Sequence, residues 1–208
     1  TFQCDNEETN ELFEAARETH RQNAVDIFMD CPSRERAGWL CDSYFSSRVA
    51  FDFSGHTRIE KNFLENFLLP KAFKHIDKGM LPMCYPSDHP NQNHIPNWAM
   101  WFVLELEEYL HRSGDRELVD RAKTRVYELV DYFKPFLNED GLLEKLSRWV
   151  FVEWSAANSL VQDVNYPSNM LYAKMLEVIG RLYDDQALTQ QAAQVRKAIV
   201  EQSYDGEF

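Results

Sequence analysis

Turn-forming residues are scarce in this chain. Its 208 residues include 7 glycines and 8 prolines, well below the usual combined share of about 12 %. That shortage weighs against a turn-rich β-sandwich and for long helices. Basic residues are also few: 22 Lys and Arg face 34 Asp and Glu, a formal net charge of −12. With no cationic surplus to displace phosphate counterions, nucleic acid is not an expected partner. No stretch of about 18 apolar residues occurs, so no membrane span is expected, and no signal peptide opens the chain. The four cysteines (Cys4, Cys31, Cys41 and Cys84) form no CxxC pair, which removes the zinc-ribbon and thioredoxin-like readings. Cys31 and Cys41 are close enough in sequence to pair, but buried free thiols are the favoured reading. GxSxG, HExxH, GxGxxG and P-loop signatures are all missing. The chain opens at Thr1 without Met, and is expected to be a piece of a longer protein.

What is present is a core. Apolar residues make up 44 % and aromatics 13 %, too much for a disordered acidic tail. Apolar residues recur at three- and four-residue steps over much of the chain. Leu12, Phe13, Ala16, Val25 and Phe28 place a first helix from Glu7 to near Met29, ahead of Pro32, which disfavours αR at Cys31. A second helix is predicted over Gly38 to Phe53, stopped by Ser54-Gly55. A third covers Thr57 to Lys78 and should kink or split at Pro70. MLPMCYPSDHPNQNHIPN, with four prolines and no period, reads as a long loop. Further helices are predicted over Ile95 to His111, to about Phe133 after an Asp115 cap, over Ser159 to Tyr183 and over Ala187 to Gln202. Leu142 to Trp154 is mixed, with WVFVEW resembling a short extended piece. About seven antiparallel helices follow, an all-α pattern without internal repeat, in which the unusually long loops are where function is expected.

The densest chemistry lies in Asp30-Cys-Pro-Ser-Arg-Glu-Arg-Ala-Gly-Trp-Leu-Cys-Asp42. Three carboxylates (Asp30, Glu35, Asp42), two arginines and Trp39 share thirteen positions. Glycosidic acid–base work needs one carboxyl protonated and another ionised. An apolar wall such as Trp39 raises the pKa of one, and an adjacent arginine lowers that of another. A solvated loop of ion pairs explains the same composition, and composition alone favours it. Cys84, Asp88, His89 and His94 fit no zinc spacing and read as hydrogen-bonding loop residues. Trp98 stands at a helix start, where it either packs or offers a sugar a stacking platform. Glu153, flanked by Trp149 and Trp154, suits a pyranose equally well as a buried aromatic cluster. Helix capping explains much of the Gln162–Asn169 run.

The string DCPSRERAGWLCD resembles the active-site segment of the bacterial α-L-rhamnosidases of glycoside hydrolase family 78. IPNWAMWF, FVEW and QDVNYPSNMLY resemble that family's downstream helices, so the likeness covers most of the chain. It implies an all-α (α/α)₆ toroid of antiparallel hairpins, with residues 1–208 supplying the first half or more. The remaining helices and flanking β-sandwich modules are expected outside them. It implies an inverting exo-hydrolase for terminal α-L-rhamnose, with Glu35 as general acid. Asp30, Arg34, Trp39 and Asp42 are expected around the sugar, and Trp98, Trp154 and Glu153 near its C6 methyl. No cofactor or metal is implied. The general base is expected beyond Phe208, so the isolated chain should be inactive and should expose apolar helix faces. A periplasmic or secreted location follows only from the resemblance, and oligomeric state stays open.

Two other readings stand beside it. One is an (α/α)₆ carbohydrate enzyme of different specificity, such as an unsaturated glucuronyl hydrolase or a glucosidase relative. The other is a helical interaction module, which would need repeats of constant length; the unequal loops argue against it.

Overall fold

The computed structural model describes residues 2–87, 93–160 and 163–207. Among them run seven α-helices: α1 (Glu7–Asn23), α2 (Leu40–Ser54), α3 (Arg58–Asn66), α4 (Pro96–Ser113), α5 (Arg116–Phe133), α6 (Tyr166–Tyr183) and α7 (Gln186–Ser203). Two 3₁₀ turns, Lys134–Phe136 and Ala156–Leu160, complete the regular structure. No strand forms among the described residues. WVFVEW is irregular, and pairing outside the helices is limited to isolated bridges such as Trp39 with Cys84.

The helices make two layers. α4 lies between α2 and α6, and these three form the inner layer. α1 packs on α2, α3 and α5 on α4, and α7 along α6. Alternation between layers makes sequential helices antiparallel and brings the N-termini of α2, α4 and α6 to one end of the domain. Burial follows the layering. α4 and α6 are mostly buried, whereas α5 buries a stripe (Leu118, Val119, Ala122, Val126, Leu129, Val130, Phe133), the spacing of one helical face.

The ends of the helices are chemically marked. Asn6, Asp115, Asn165 and Asp185 each accept a backbone N–H three residues on, from Thr9, Leu118, Ser168 and Leu188, the usual N-cap bond. Gly55 and Gly114 close α2 and α4 in the left-handed region, where glycine avoids the Cβ penalty.

Three expected boundaries shift. α1 stops at Asn23 rather than near Met29. The chain folds back there, and the Met29 N–H donates to the Asn23 carbonyl at 2.8 Å. Ile27 and Phe28 thereby enter the core while Val25 stays exposed, which a continuous helix would not allow. The third helix ends at Asn66 and does not resume directly after Pro70; residues 67–87 and 93–95 are turns and irregular chain. The sixth begins at Tyr166 rather than Ser159, because Pro167 fits only a first turn and Asn165 supplies the cap.

Polar groups also cross the α2–α4 interface. Arg112 on α4 pairs with Glu60 of α3 and Glu108, and donates to Ser47 of α2 at 3.1 Å. One turn earlier, Ser43 meets the fully buried Glu105. α2 leaves Phe45, Val49 and Phe51 exposed, and α6 leaves Met170.

Candidate active site

The loop between α1 and α2 is closed by one residue. Asp30 Oδ1 accepts the Ala37 N–H at 3.1 Å, and the Asp30 N–H donates to the Ala37 carbonyl at 3.2 Å. The loop turns at Arg36, which adopts φ 50. Gly38 then passes so close to Tyr85 and Phe63 that a Cβ would lie 2.7 Å from the Tyr85 carbonyl oxygen and 2.9 Å from the Phe63 ring. Only glycine fits this approach. The result sets Trp39 at the N-cap of α2 and Asp42 in its first turn.

A second wall comes from the chain before α6. Asn169 of α6 holds Leu143 by both backbone groups, accepting from its N–H at 2.7 Å and donating to its carbonyl at 3.0 Å. The Trp149 N–H reaches the His94 carbonyl at 3.4 Å. Asn158 Oδ1 accepts the Val152 N–H at 2.8 Å. Trp149 and Phe151 are thus held against Trp98, whose ring meets Phe151 edge-on at 5.0 Å.

Between these walls is a pocket of about 290 Å³ lined by Asp30, Cys31, Arg34, Glu35, Trp39, Asp42, Ile95, Trp98, Trp149, Phe151 and Trp154. It brings together seven of the eight residues singled out from the sequence. Glu153 is the exception. The chain bends after Phe151, and Glu153 turns to solvent and accepts from Ser155. Trp154 sits at the rim, 85 % exposed. Trp149, Phe151, Ile95 and Cys31 were not among the predicted site residues. The alternation of Trp149 with Phe151 was the available signal, and it was outweighed by the Glu153-Trp154 pair.

The three carboxyls stand in different environments. Glu35 Oε1 pairs with Arg34 Nε at 2.6 Å, and Oε2 accepts from the Cys31 thiol at 3.1 Å. The guanidinium first, and the thiol second, hold Glu35 down at about 2. Asp42 is pushed up to about 6, chiefly by burial, with the charge of Asp30 adding to it. The arginine therefore acts on the very carboxyl expected to donate a proton.

Asp30, Cys31 and Glu35 bring three potential ligand atoms within 4.8 Å of one another. All three of these residues already have hydrogen-bond or ion-pair partners inside the loop. In the other loop considered, His94 Nε2 bonds Tyr132 Oη at 3.1 Å and Cys84 bonds Ser87 at 3.3 Å. Asp88 and His89, like Gln162, lie outside the described residues. All four cysteines are free, and only Cys84 is fully buried, so the Cys31–Cys41 pairing does not occur. No described helix is long and apolar enough to cross a membrane.

Known proteins share this fold. A rhamnosidase of Bacillus sp. GL1, of glycoside hydrolase family 78, superposes with a TM-score of 0.79 at 21 % identity over 95 % of this chain and 21 % of that one. A rhamnosidase from Klebsiella oxytoca, solved with rhamnose bound, gives 0.70 at 18 % identity over 94 % and 39 %. An α-L-rhamnosidase of Formosa agariphila is 23 % identical over 163 residues, 74 % of this chain. The chain spans 17 % of that relative's length. The description of the bacterial α-L-rhamnosidase six-hairpin glycosidase domain matches residues 1–206, and the chain belongs to that family.

Proposed function

We propose that this pocket hydrolyses a terminal α-L-rhamnoside with inversion, Glu35 giving the proton to the leaving oxygen. One observation carries the reading. Three carboxyls face Ile95, Trp98, Trp149 and Phe151 across a cavity at the small end of the range for ligand pockets. A 6-deoxy sugar offers hydroxyls to the acidic side and a methyl group to the apolar side. Asp30, Arg34 and Asp42 are the hydroxyl partners in this scheme. Trp39 and Trp98 cover the ring, and Trp154 lies toward the leaving group.

A general acid must hold its proton, and Glu35 in the empty pocket does not. Arg34 is 86 % exposed, so little packing opposes its moving off Glu35. Sugar binding draws it from Glu35 onto a hydroxyl, and Glu35 then regains an ordinary carboxyl's affinity for a proton. A second reading follows from Asp42, which burial already keeps protonated more readily: Asp42 is then the donor. Inversion also needs a base about 6.5–9.5 Å from the acid. Asp30 approaches Glu35 within 4.8 Å, too near to admit the water. The base in this proposal comes from outside these 208 residues, which alone are inactive.

The test is turnover of p-nitrophenyl and alkyl α-L-rhamnosides by the intact protein, its E35Q variant and its D42N variant. A proton donor's loss hits the alkyl substrate hardest, since nitrophenolate leaves with little help. Such selectivity in E35Q supports Glu35. The same selectivity in D42N alone transfers the role to Asp42, and no turnover on a rhamnoside while another glycoside is cut changes the glycone. The anomer released first, followed by NMR, decides inversion.

A further inference from the structure

Ser43 and Ser47 stand one turn apart on α2 and are built alike. Each hydroxyl lies within bonding distance of the carbonyl three residues back, Leu40 at 2.8 Å and Tyr44 at 2.9 Å. Each also meets a side chain from α4. At Ser47 that side chain is a donor, the Arg112 guanidinium, so the hydroxyl accepts one bond and donates the other. At Ser43 it is a carboxyl: Glu105 Oε2 lies 2.6 Å from Ser43 Oγ. A hydroxyl has one hydrogen. The Leu40 carbonyl can only accept, so with Glu105 ionised the single Ser43 hydrogen must be shared between two acceptors, whereas a protonated Glu105 supplies a second hydrogen and satisfies both contacts.

The surroundings agree. Glu105 is fully buried, and its Oε1 has no hydrogen-bond partner. A buried carboxylate without a countercharge is costly. The charges facing Glu105 are Glu60 from α3 and Arg112 from α4, with the Cys41 thiol on α2. Arg112 is already bonded to Glu60 and Glu108; its charge favours the ionised form of Glu105 but is outweighed by burial. Burial, with Glu60 adding to it, raises the Glu105 carboxyl well above its ordinary range.

We propose that Glu105 is a positioning residue that, in its protonated form, donates to Ser43 Oγ and so holds the first turn of α2, from which Trp39 and Asp42 enter the pocket. The chain of bonds runs from Glu105 through the Ser43 hydroxyl to the Leu40 carbonyl, next to Trp39 and two residues before Asp42. Its effect on turnover rests on the function proposed above; the proton on Glu105 does not.

The test uses the intact protein with E105Q, E105L and S43A. A carboxamide can donate to Ser43 as a carboxylic acid does, whereas leucine cannot, and S43A breaks the same link with little change of volume. Expected is a loss of about ten- to a hundred-fold in kcat/KM for E105L and S43A, the scale of a misplaced catalytic group, with E105Q restoring activity. E105Q falling as far as E105L overturns the proposal, as does S43A matching the wild type. Infrared difference spectroscopy of wild type against E105Q reads the proton directly. A protonated-carboxyl band at neutral pH, lost in E105Q, supports the assignment, and a carboxylate band overturns it. Should the wild type cut no rhamnoside, that band still decides the state of Glu105 while the functional reading falls separately.

Discussion

Gly38→Ala is the sharpest steric probe of how the pocket is held. The added Cβ would lie 2.7 Å from the Tyr85 carbonyl oxygen, 2.9 Å from Phe63 Cε2 and 3.2 Å from Ile27 Cδ1. None of the three has open space behind it, since Phe63 and Ile27 are core residues. The Tyr85 carbonyl belongs to a segment pinned on both sides of Gly38: the Tyr85 N–H donates to the Gly38 carbonyl at 3.0 Å, and the Leu40 N–H to the Met83 carbonyl at 3.2 Å. Relief must therefore stretch those bonds or push residues 37–39 toward the pocket. Overpacking a tight core costs about 1–3 kcal/mol, and a clash with main chain belongs at the upper end. At about 2–4 °C per kcal/mol for a domain of this size, the domain's unfolding transition should fall by roughly 4–12 °C. Calorimetry on the intact protein measures it, and titration with L-rhamnose reads the displacement of Trp39 as weaker binding. An unchanged transition, with binding also unchanged, would refute the packing account of this turn.

Three further outcomes are expected. Arg112→Leu leaves Glu60, 2 % exposed, without its countercharge and should destabilise the domain by about 3–5 kcal/mol; a denaturant midpoint equal to the wild type's contradicts this. In Asp42→Asn the sign is opposite. A carboxyl whose pKa rises on folding from 3.8 to about 6 loses stability as the pH climbs between those values, by up to about 3 kcal/mol for the full shift. The variant should therefore be the more stable protein by about 1–3 kcal/mol at neutral pH. That gain should vanish below about pH 4, and a gain that persists there would show that charge is not its cause. Arg34→Ala removes the main cause of Glu35's low pKa, so the alkaline limb of kcat/KM should move to higher pH even if the rate falls; an unmoved limb means that Arg34 does not control Glu35.

Much of the fold was legible because its signals are local. Caps at Asp115 and Gly55, the three- and four-residue spacing in α5, and the lone proline at the start of α4 are statements about neighbouring residues. The misjudged boundaries have a different origin. Nothing near Asn23 breaks the helical period. The chain turns there because Ile27 and Phe28 find a better burial against α3, with Phe28 against Phe63 at a ring distance of 6.3 Å. The same holds at the site. The thirteen-residue motif delivered six pocket residues together because one short loop and the helix start that follows it carry them all. Glu153 was misplaced because its orientation depends on a bend after Phe151, which its aromatic neighbours do not announce.

Which carboxyl keeps a proton is the least local property of all. Read along the chain, Glu35 has arginines on both sides and Trp39 one turn away, so either influence was open to it. In the folded domain Arg34 takes the carboxylate and Cys31 takes its other oxygen. Asp42, seven positions later, is desolvated instead, by its place in the partly buried first turn of α2. That first turn is in turn held from α4, through a carboxyl 62 positions from Ser43. The acid–base poise of this pocket is thus set by two features invisible in the motif. One is an exposed arginine paired with Glu35, which under the proposed function leaves on sugar binding if Glu35 is the donor. The other is the burial of the helix start that carries Asp42. If the proton donor proves to be Glu35, the pocket is poised only when occupied, and its pH profile for kcat should lie well above that for the free protein. If it proves to be Asp42, the two profiles should nearly coincide, since burial acts on Asp42 with or without the sugar.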